Sequence, residues 1–531
     1  MNRRAFLAGL AVGVPAASQL RAARNMATML GDRDTAPEAE RSQPDPASCR
    51  AWYVGGGGAS DSNPGTAQHP VQTVAKAVSL AQPGDWVVFA PGTYPCSKVQ
   101  IPDGAEDRPI ILRSAQTGKA IFSNDGTQDI LRLGSYNTID GIQFHMTSGN
   151  PQGSGIYIER KRHNIIRNCR FYACQVGVKT RSTHYLNISN CEMAFSGAYG
   201  IHTEGGGQDV EGQWEPADEN RYVVVRNCYL HDAGWNVEGT EGYGFTANGA
   251  LEFLTIENCQ IDNNTGDGIL YEDWTIHSSA RYNVIRGTGI AAIWIDNASM
   301  SIFDNNYLEA NNVAVWLSGE ESSNRHLDDF IAIRNNIIVH NDWSAISPKA
   351  YGKQILLITS STRDVYFDNN TVAFNNGTRV VGLENQPPWN EFRNTWFRNN
   401  IFWKNTGGVG ADAGLDINKS LHFLDNLWSD PYAGDSQAKT GDPLFVDPDA
   451  HGPEGYKLRS GSAAIGQGLL LYENPVDFWD APRPHLSTNR KYDLGAVQYG
   501  STGAAHIGLD LTTFPYEVPR FKLRFKAKPE L

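Results

Sequence analysis

Between Gly268 and Ser318 the chain repeats itself three times. The segments GILYED, AAIWIDN and AVWLSG each run small, apolar, variable, apolar, polar, with the polar residue four places after the small one. Such alternation is the period-2 signature of a half-buried strand. The polar positions are Glu272, Asp296 and Ser318, in steps of 24 and 22 residues. The same frame fits Gly155–Glu159, Gly177–Arg181, Gly200–Glu204 and Gly244–Asn248. A strand motif returning every two dozen residues or so restricts the chain to an all-β parallel solenoid, each turn stacked on the last. Equivalent residues then stand in columns about 4.8 Å apart. One column reads Glu159, Arg181, Glu204, Asn248, Glu272, Asp296, Ser318. Two residues earlier a second reads Tyr157, Lys179, His202, Thr246, Leu270, Trp294, Trp316. Both belong on the outer face of one sheet.

The turns repeat as well. Asn168, Asn190, Asn227, Asn258, Asn305, Asn335, Asn369, Asn399 and Asp425 or Asn426 recur ahead of short apolar runs. Buried turns need their amides hydrogen-bonded, and stacked asparagines satisfy one another from rung to rung. Cys169, Cys191, Cys228 and Cys259 form a matching column. Seven cysteines is an odd number, and no CxxC or His/Cys cluster accompanies them. The column is therefore expected to be buried and reduced, with neither disulfide nor metal.

Irregular spacing locates insertions. Gly205–Glu219, Asp232–Tyr243 and Gly319–Asp329 all border the strand that carries the polar column, where loops on a rigid scaffold build clefts. Residues 1–23, with Arg3-Arg4 before a short apolar run, resemble a twin-arginine export signal, which implies a periplasmic or secreted protein. Residues 24–50 read as a polar linker, 51–500 as the solenoid, and 501–531 as a tail with no repeat. A formal charge of −13 argues against nucleic acid as the main partner, and no stretch is long enough to span a membrane. Oligomeric state stays open.

Val71, Val74, Ala75, Val78 and Ala81 share one helical face, which suits a helix covering the open end of a solenoid core. The glycines at 55–58 are too far from that helix to form a phosphate loop. The opening YVGGGGASDSNPGT and PGDWVVFAPGTY resemble the start of exported right-handed parallel β-helix proteins of the pectate-lyase-like superfamily. The segments DPLFVDP, YKLRSGSAAIGQG and DLGAVQY resemble their closing segments. That resemblance implies a right-handed parallel β-helix; the superfamily holds lyases, hydrolases, epimerases and non-catalytic proteins, so it leaves the reaction open.

Chemistry is expected on the outer columns. Glu272 and Asp296 on adjacent rungs form a carboxylate pair of the kind glycosidases use, one ionised to attack and one protonated to assist departure. GILYEDW and AIWIDN are also similar to the active-site rungs of β-helix glycosidases of the family 120 β-xylosidase type. This implies Glu272 as nucleophile, where that family has an Asp, and Asp296 as acid/base. Trp294 and Trp316 offer flat apolar surface to a sugar, with Asn248, Glu204, His202, Lys179, Arg181, Asp273 and Ser318 as further substrate-binding candidates. No cofactor is expected for a hydrolase. Lys179, Arg181, His202 and Glu204 make a rival polysaccharide-lyase site, with a base for the uronate C5 proton, and a lyase reading brings in calcium. Residues 262–273 match a calcium loop poorly and read as a turn. The expectation is an enzyme cleaving a poly- or oligosaccharide, hydrolase before lyase, with a non-catalytic β-helix adhesin or scaffold as the competing class.

Overall fold

The computed structural model describes residues 49–205, 219–235, 241–272, 274–319, 328–342, 354–360, 362–385, 392–471, 473–484 and 491–522. The expected signal, nearly all of the linker, most of the insertions at 205–219 and 319–329, residues 236–240 of the insertion at 232–243, and Asp273 lie outside them.

One turn of the coil shows how the repeat folds. Strand Ser154–Glu159 leads into Arg162–Arg167, then Arg170–Tyr172, and the next strand, Val176–Arg181, lies parallel to the first. Repetition generates three parallel sheets. Among the described residues, sheet 1 has 12 strands, running from Val99–Gln100 to Thr406–Ala411; sheet 2 has 15 and sheet 3 has 14. Inward side chains such as Ile158, Ile166 and Phe171 are fully buried and join one core along the solenoid. Each such side chain contributes about 1.5–3 kcal/mol by leaving water. The helix is shorter than its apolar face suggested. It spans Val74–Leu80, starts at the Thr73 hydroxyl, which accepts from the Lys76 N–H, and buries Val74, Ala77 and Val78. Val71 instead bridges to Val54.

The turn between sheets 2 and 3 corrects the expected ladder. The predicted asparagines do form a column, held at positive φ (54° at Asn168, 52° at Asn190 and Asn227, 58° at Asn399), and in part they bond as expected, Asn227 donating to Asn190, Asn335 to Asn305 and Asn399 to Asn369. Asparagine tolerates this left-handed conformation better than most residues. The ladder that satisfies itself stands one residue later. The Asn306 side chain donates to Asn336 Oδ1 at 3.0 Å, Asn336 to Asn370 at 3.0 Å, Asn370 to Asn400 at 3.1 Å and Asn400 to Asn426 at 2.9 Å. Upstream, Cys169, Cys191, Cys228 and Cys259 occupy the same inward place, and the Cys259 N–H donates to Asn283 Oδ1 at 2.9 Å. The cysteine column thus passes into an asparagine ladder, and all four thiols are free and buried. A second ladder lines the turn from sheet 3 to sheet 1, through Asn311, Asn341, Asn375 and Asn405.

The left-handed asparagines serve another purpose. Described strands end at Lys439–Thr440, and the chain then doubles back over sheet 3 instead of adding rungs up to residue 500. Phe445, Tyr456, Leu458, Phe478 and Leu494 pack on the outward Tyr307, Ile337, Val339 and Ile401. Asn399 Nδ2 donates to Leu469 O, Asn335 to Asn474 Oδ1 and Asn305 to Phe478 O, each at 2.9 Å. Farther back, the Gly508 N–H donates to Tyr282 O at 2.6 Å, Asn227 Nδ2 to Thr513 Oγ1 at 3.0 Å and the Tyr516 hydroxyl to Asn168 O at 2.6 Å. Within its described part, the tail expected to carry no repeat is a strap without strand structure, running antiparallel to coil growth.

Candidate functional site

Sheet 3 is covered by the returning chain, so sheet 1 carries the outer face of interest. Its register stacks Glu159, Arg181, Glu204 and Asn248, and sets Asp296 beside Ser318. Tyr271 pairs with Ala247 on one side and Ile295 on the other, which carries Glu272 between Asn248 and Asp296. The other column stacks Tyr157, Lys179, His202, Thr246, Leu270, Trp294 and Trp316 in the expected order.

The face is less open than alternation alone suggests. Glu272 is half-buried, but Asp296 is 8% exposed and Ser318 fully buried. Asn248 Nδ2 donates to Glu272 Oε2 at 2.7 Å, a charge-assisted bond that fixes the carboxylate on its rung. The tryptophans stack on each other, with centroids 4.1 Å apart and planes 2° from parallel. Trp294 Nε1 donates to Ser318 Oγ at 2.7 Å and Trp316 Nε1 to Thr359 Oγ1 at 3.0 Å. Both also pack against Ile290, Ala291, Val313 and Leu357. Ring faces lie along the solenoid axis, so the side away from the sheet presents edges rather than a flat platform.

In the rival patch, Lys179 Nζ lies 2.8 Å from Glu204 Oε1. Burial, partly offset by Glu204, moves His202 from 6.5 down to about 4, so its ring is neutral near pH 7. Arg181 stacks between Glu159 and Glu204. Asp262 belongs to sheet 3 and accepts from Arg286 at 3.0 and 3.1 Å, and the residues after it turn into strand Ile269–Tyr271.

A third column was missed. Tyr199 pairs with Tyr243, and register places Asp267 next. Tyr199 stacks on Tyr243 at 5.3 Å and on His202 at 4.3 Å. Burial raises its phenol, helped by the charges of Glu272, Glu204 and Glu241. The Tyr243 hydroxyl donates to Glu241 Oε2 at 2.9 Å. Asp267 accepts the Ala291 N–H at 2.7 Å, and its acid is raised well above the carboxylate range by burial and by Glu241 and Glu272. These residues precede the glycine that opens each motif, outside the frame used to read it. The aromatic pair one rung apart, Tyr199 and Tyr243, was the available signal.

Residues 52–212 match a family model described as a Pel9A-like right-handed β-helix region, and 135–356 match NosD, a periplasmic copper-binding protein. The pectate-lyase-like right-handed β-helix expected from the sequence is thereby borne out. Comparison with curated proteins finds no match. Among solved structures, the PL6 family alginate lyase AlyGC aligns at 16% identity with a TM-score of 0.55, over 85% of this chain and 59% of that one. A GH136 lacto-N-biosidase from Eubacterium ramulus aligns at 13% and 0.48, over 70% and 67%. Pectate lyase Pel9A aligns at 15% and 0.43, over 85% and 96%. At such identities the likeness is one of fold. The residues do not fit copper: no group of three or more His, Cys, Asp or Glu able to hold a metal occurs among the described residues. The cysteine column faces the core, fully buried among apolar side chains.

Proposed function

We propose that the chain is a carbohydrate-cleaving enzyme, a retaining glycoside hydrolase in which Glu272 is the nucleophile and Asp296 the acid/base. The observation that carries this is the Tyr271–Ile295 register, which sets two carboxylates on adjacent strands of one outer face. Strand spacing of about 4.8 Å puts their carboxyl groups near 5–5.5 Å, the retaining distance; inversion must fit a water and needs about 6.5–9.5 Å. Glu272 forms a bond to the anomeric carbon as the glycosidic C–O bond breaks, and Asp296 gives its proton to the leaving oxygen. Water then releases the sugar, losing its proton to Asp296.

A lyase centred on Lys179, Arg181 and His202 is the second reading, supported by the basic patch itself. It is weakened because Glu204 already engages Lys179, and His202, lowered to about 4, is a weak base that brings no positive charge to a uronate. The twin-arginine-type start and the periplasmic family match support export. The helix at Val74–Leu80, packed on the first strand, supports its reading as a cover for the core.

Digestion of a panel of plant and microbial glycans tests the reading, with proton NMR of the first product. Retained configuration is expected, with Glu272→Gln inactive and Asp296→Asn active only on substrates whose leaving group needs no proton. An inverted anomer excludes the pair. An unsaturated uronate moves the chemistry to the Lys179 patch, and no turnover of any glycan favours a scaffold.

A further inference from the structure

We propose that His202, Thr246 and Asp267 line a subsite for the hydroxyl groups of an uncharged sugar unit beside Glu272. This names a substrate class and rests on the carbohydrate-cleaving reading above. The residues come from successive turns of sheet 1: strand Tyr199–Glu204, strand Tyr243–Asn248, and the turn leading into Ile269–Tyr271. His202 pairs directly with Thr246, and Asp267 continues the Tyr199–Tyr243 column. Each brings one buried polar atom with no hydrogen-bond partner among the described residues: His202 Nε2, Thr246 Oγ1 and Asp267 Oδ2. Their exposures are 8%, 1% and 0%. Folded proteins leave few such atoms, and three on one face within neighbouring rungs leave hydrogen-bonding capacity that the hydroxyl groups of a ligand would satisfy.

Charge selects among sugars. His202 is neutral, and with its Nδ1 facing Glu204 at 3.9 Å a proton there leaves Nε2 as an acceptor. Burial and the charges of Glu241 and Glu272 raise the Asp267 acid well above the carboxylate range, which favours its protonated, donating form. The Tyr199 and Tyr243 phenols are held un-ionised by burial and neighbouring carboxylates. Lys179 is paired with Glu204, and Arg181 stands three rungs from Glu272. A uronate would bring its carboxylate towards Glu241, Glu272 and Asp296. A neutral sugar brings only hydroxyls.

Calorimetric titration of Glu272→Gln protein tests this, with xylo-, cello-, manno- and galacto-oligosaccharides set against oligogalacturonate and oligoalginate. Binding of a neutral series and of neither uronate is expected. Thr246→Val should weaken it about tenfold, the effect of one lost hydrogen bond, without lowering the thermal midpoint. Asp267→Asn, which keeps a donor, should weaken it less than Asp267→Ala. Tighter binding of a uronate, binding of no neutral series, or an affinity indifferent to Thr246→Val overturns the subsite. Failure of the parent reading looks different. Neutral binding that Thr246→Val weakens, without release of reducing ends by the native protein, sinks the hydrolase and leaves the subsite. Glu272-dependent hydrolysis with affinity indifferent to Thr246→Val does the reverse.

Discussion

Trp294 and Trp316 change meaning once their geometry is known. Alternation put both on the outer face, and there they lie, but each spends one ring face on the other. Trp294→Ala should therefore cost on the order of 2 kcal/mol of stability, from lost burial and lost stacking. A Trp294/Trp316 double-mutant cycle in urea should return a coupling of about 1 kcal/mol. Additive effects, with affinity for oligosaccharide falling instead, would restore a sugar platform. His202 makes a prediction in pH. Its folded value of about 4 lies below the ordinary 6.5. Below pH 6.5 the unfolded chain takes up a proton that the folded ring refuses, so this contribution is complete above 6.5 and fades as pH falls towards 4. Unfolding free energies of wild type and His202→Asn, measured across that window, should converge as the solution becomes more acid. Parallel curves would mean that the ring titrates normally. The residues at hand in the sequence were those inside the strand motif. Tyr199, the first residue of its strand, and Asp267, in the turn before one, sit ahead of that motif, outside the frame in which alternation was read.

At the scale of elements, one structural position is filled by two chemistries. Cys228 and Asn336 occupy the same inward place after the turn, yet Cys228 donates weakly to Arg226 O at 3.3 Å while Asn336 accepts and donates along the ladder. Asn336→Ala leaves the Asn306 N–H and side-chain amide without their acceptor, so a loss of about 3 kcal/mol or more is expected. Cys228→Ala should cost about 1 kcal/mol, the transfer of a small apolar group. Thermal unfolding of the two variants side by side checks the contrast, and equal losses would mean that the ladder adds nothing beyond volume. Sheet order and register were legible from the period alone. The continuous ladder one residue on was overlooked because pairs such as Asn305-Asn306 and Asn369-Asn370 offer two identical amides, and the first of each pair bonds its neighbours only in places. Extending the cysteine column forward would have chosen between them: Cys259 follows Asn258 as Asn306 follows Asn305.

For the whole molecule, the returning chain matters most. Sequence gave no sign of its course, because contacts such as Tyr516 to Asn168 join segments with no shared repeat. Removal of residues 501–531 uncovers Tyr229 and takes away Leu509 and Phe514, at a cost on the order of 3 kcal/mol. Hydrogen exchange of the truncated protein should rise in rungs 168–286 and leave those beyond 305 protected. Uniform loosening, or none, would show that the strap is not a local brace. Its path also alters the physics of the fold. A bare solenoid behaves as a one-dimensional chain of units, each coupled only to its neighbours, in which a single rung can open and the rest endure. A strap that bonds at Asn399, Asn335, Asn305, Tyr282, Asn227 and Asn168 couples units that never touch. Opening one rung then strains the tether over its neighbours, and a fold that would otherwise fray rung by rung from its ends opens in longer blocks, each set by the length of strap that spans it.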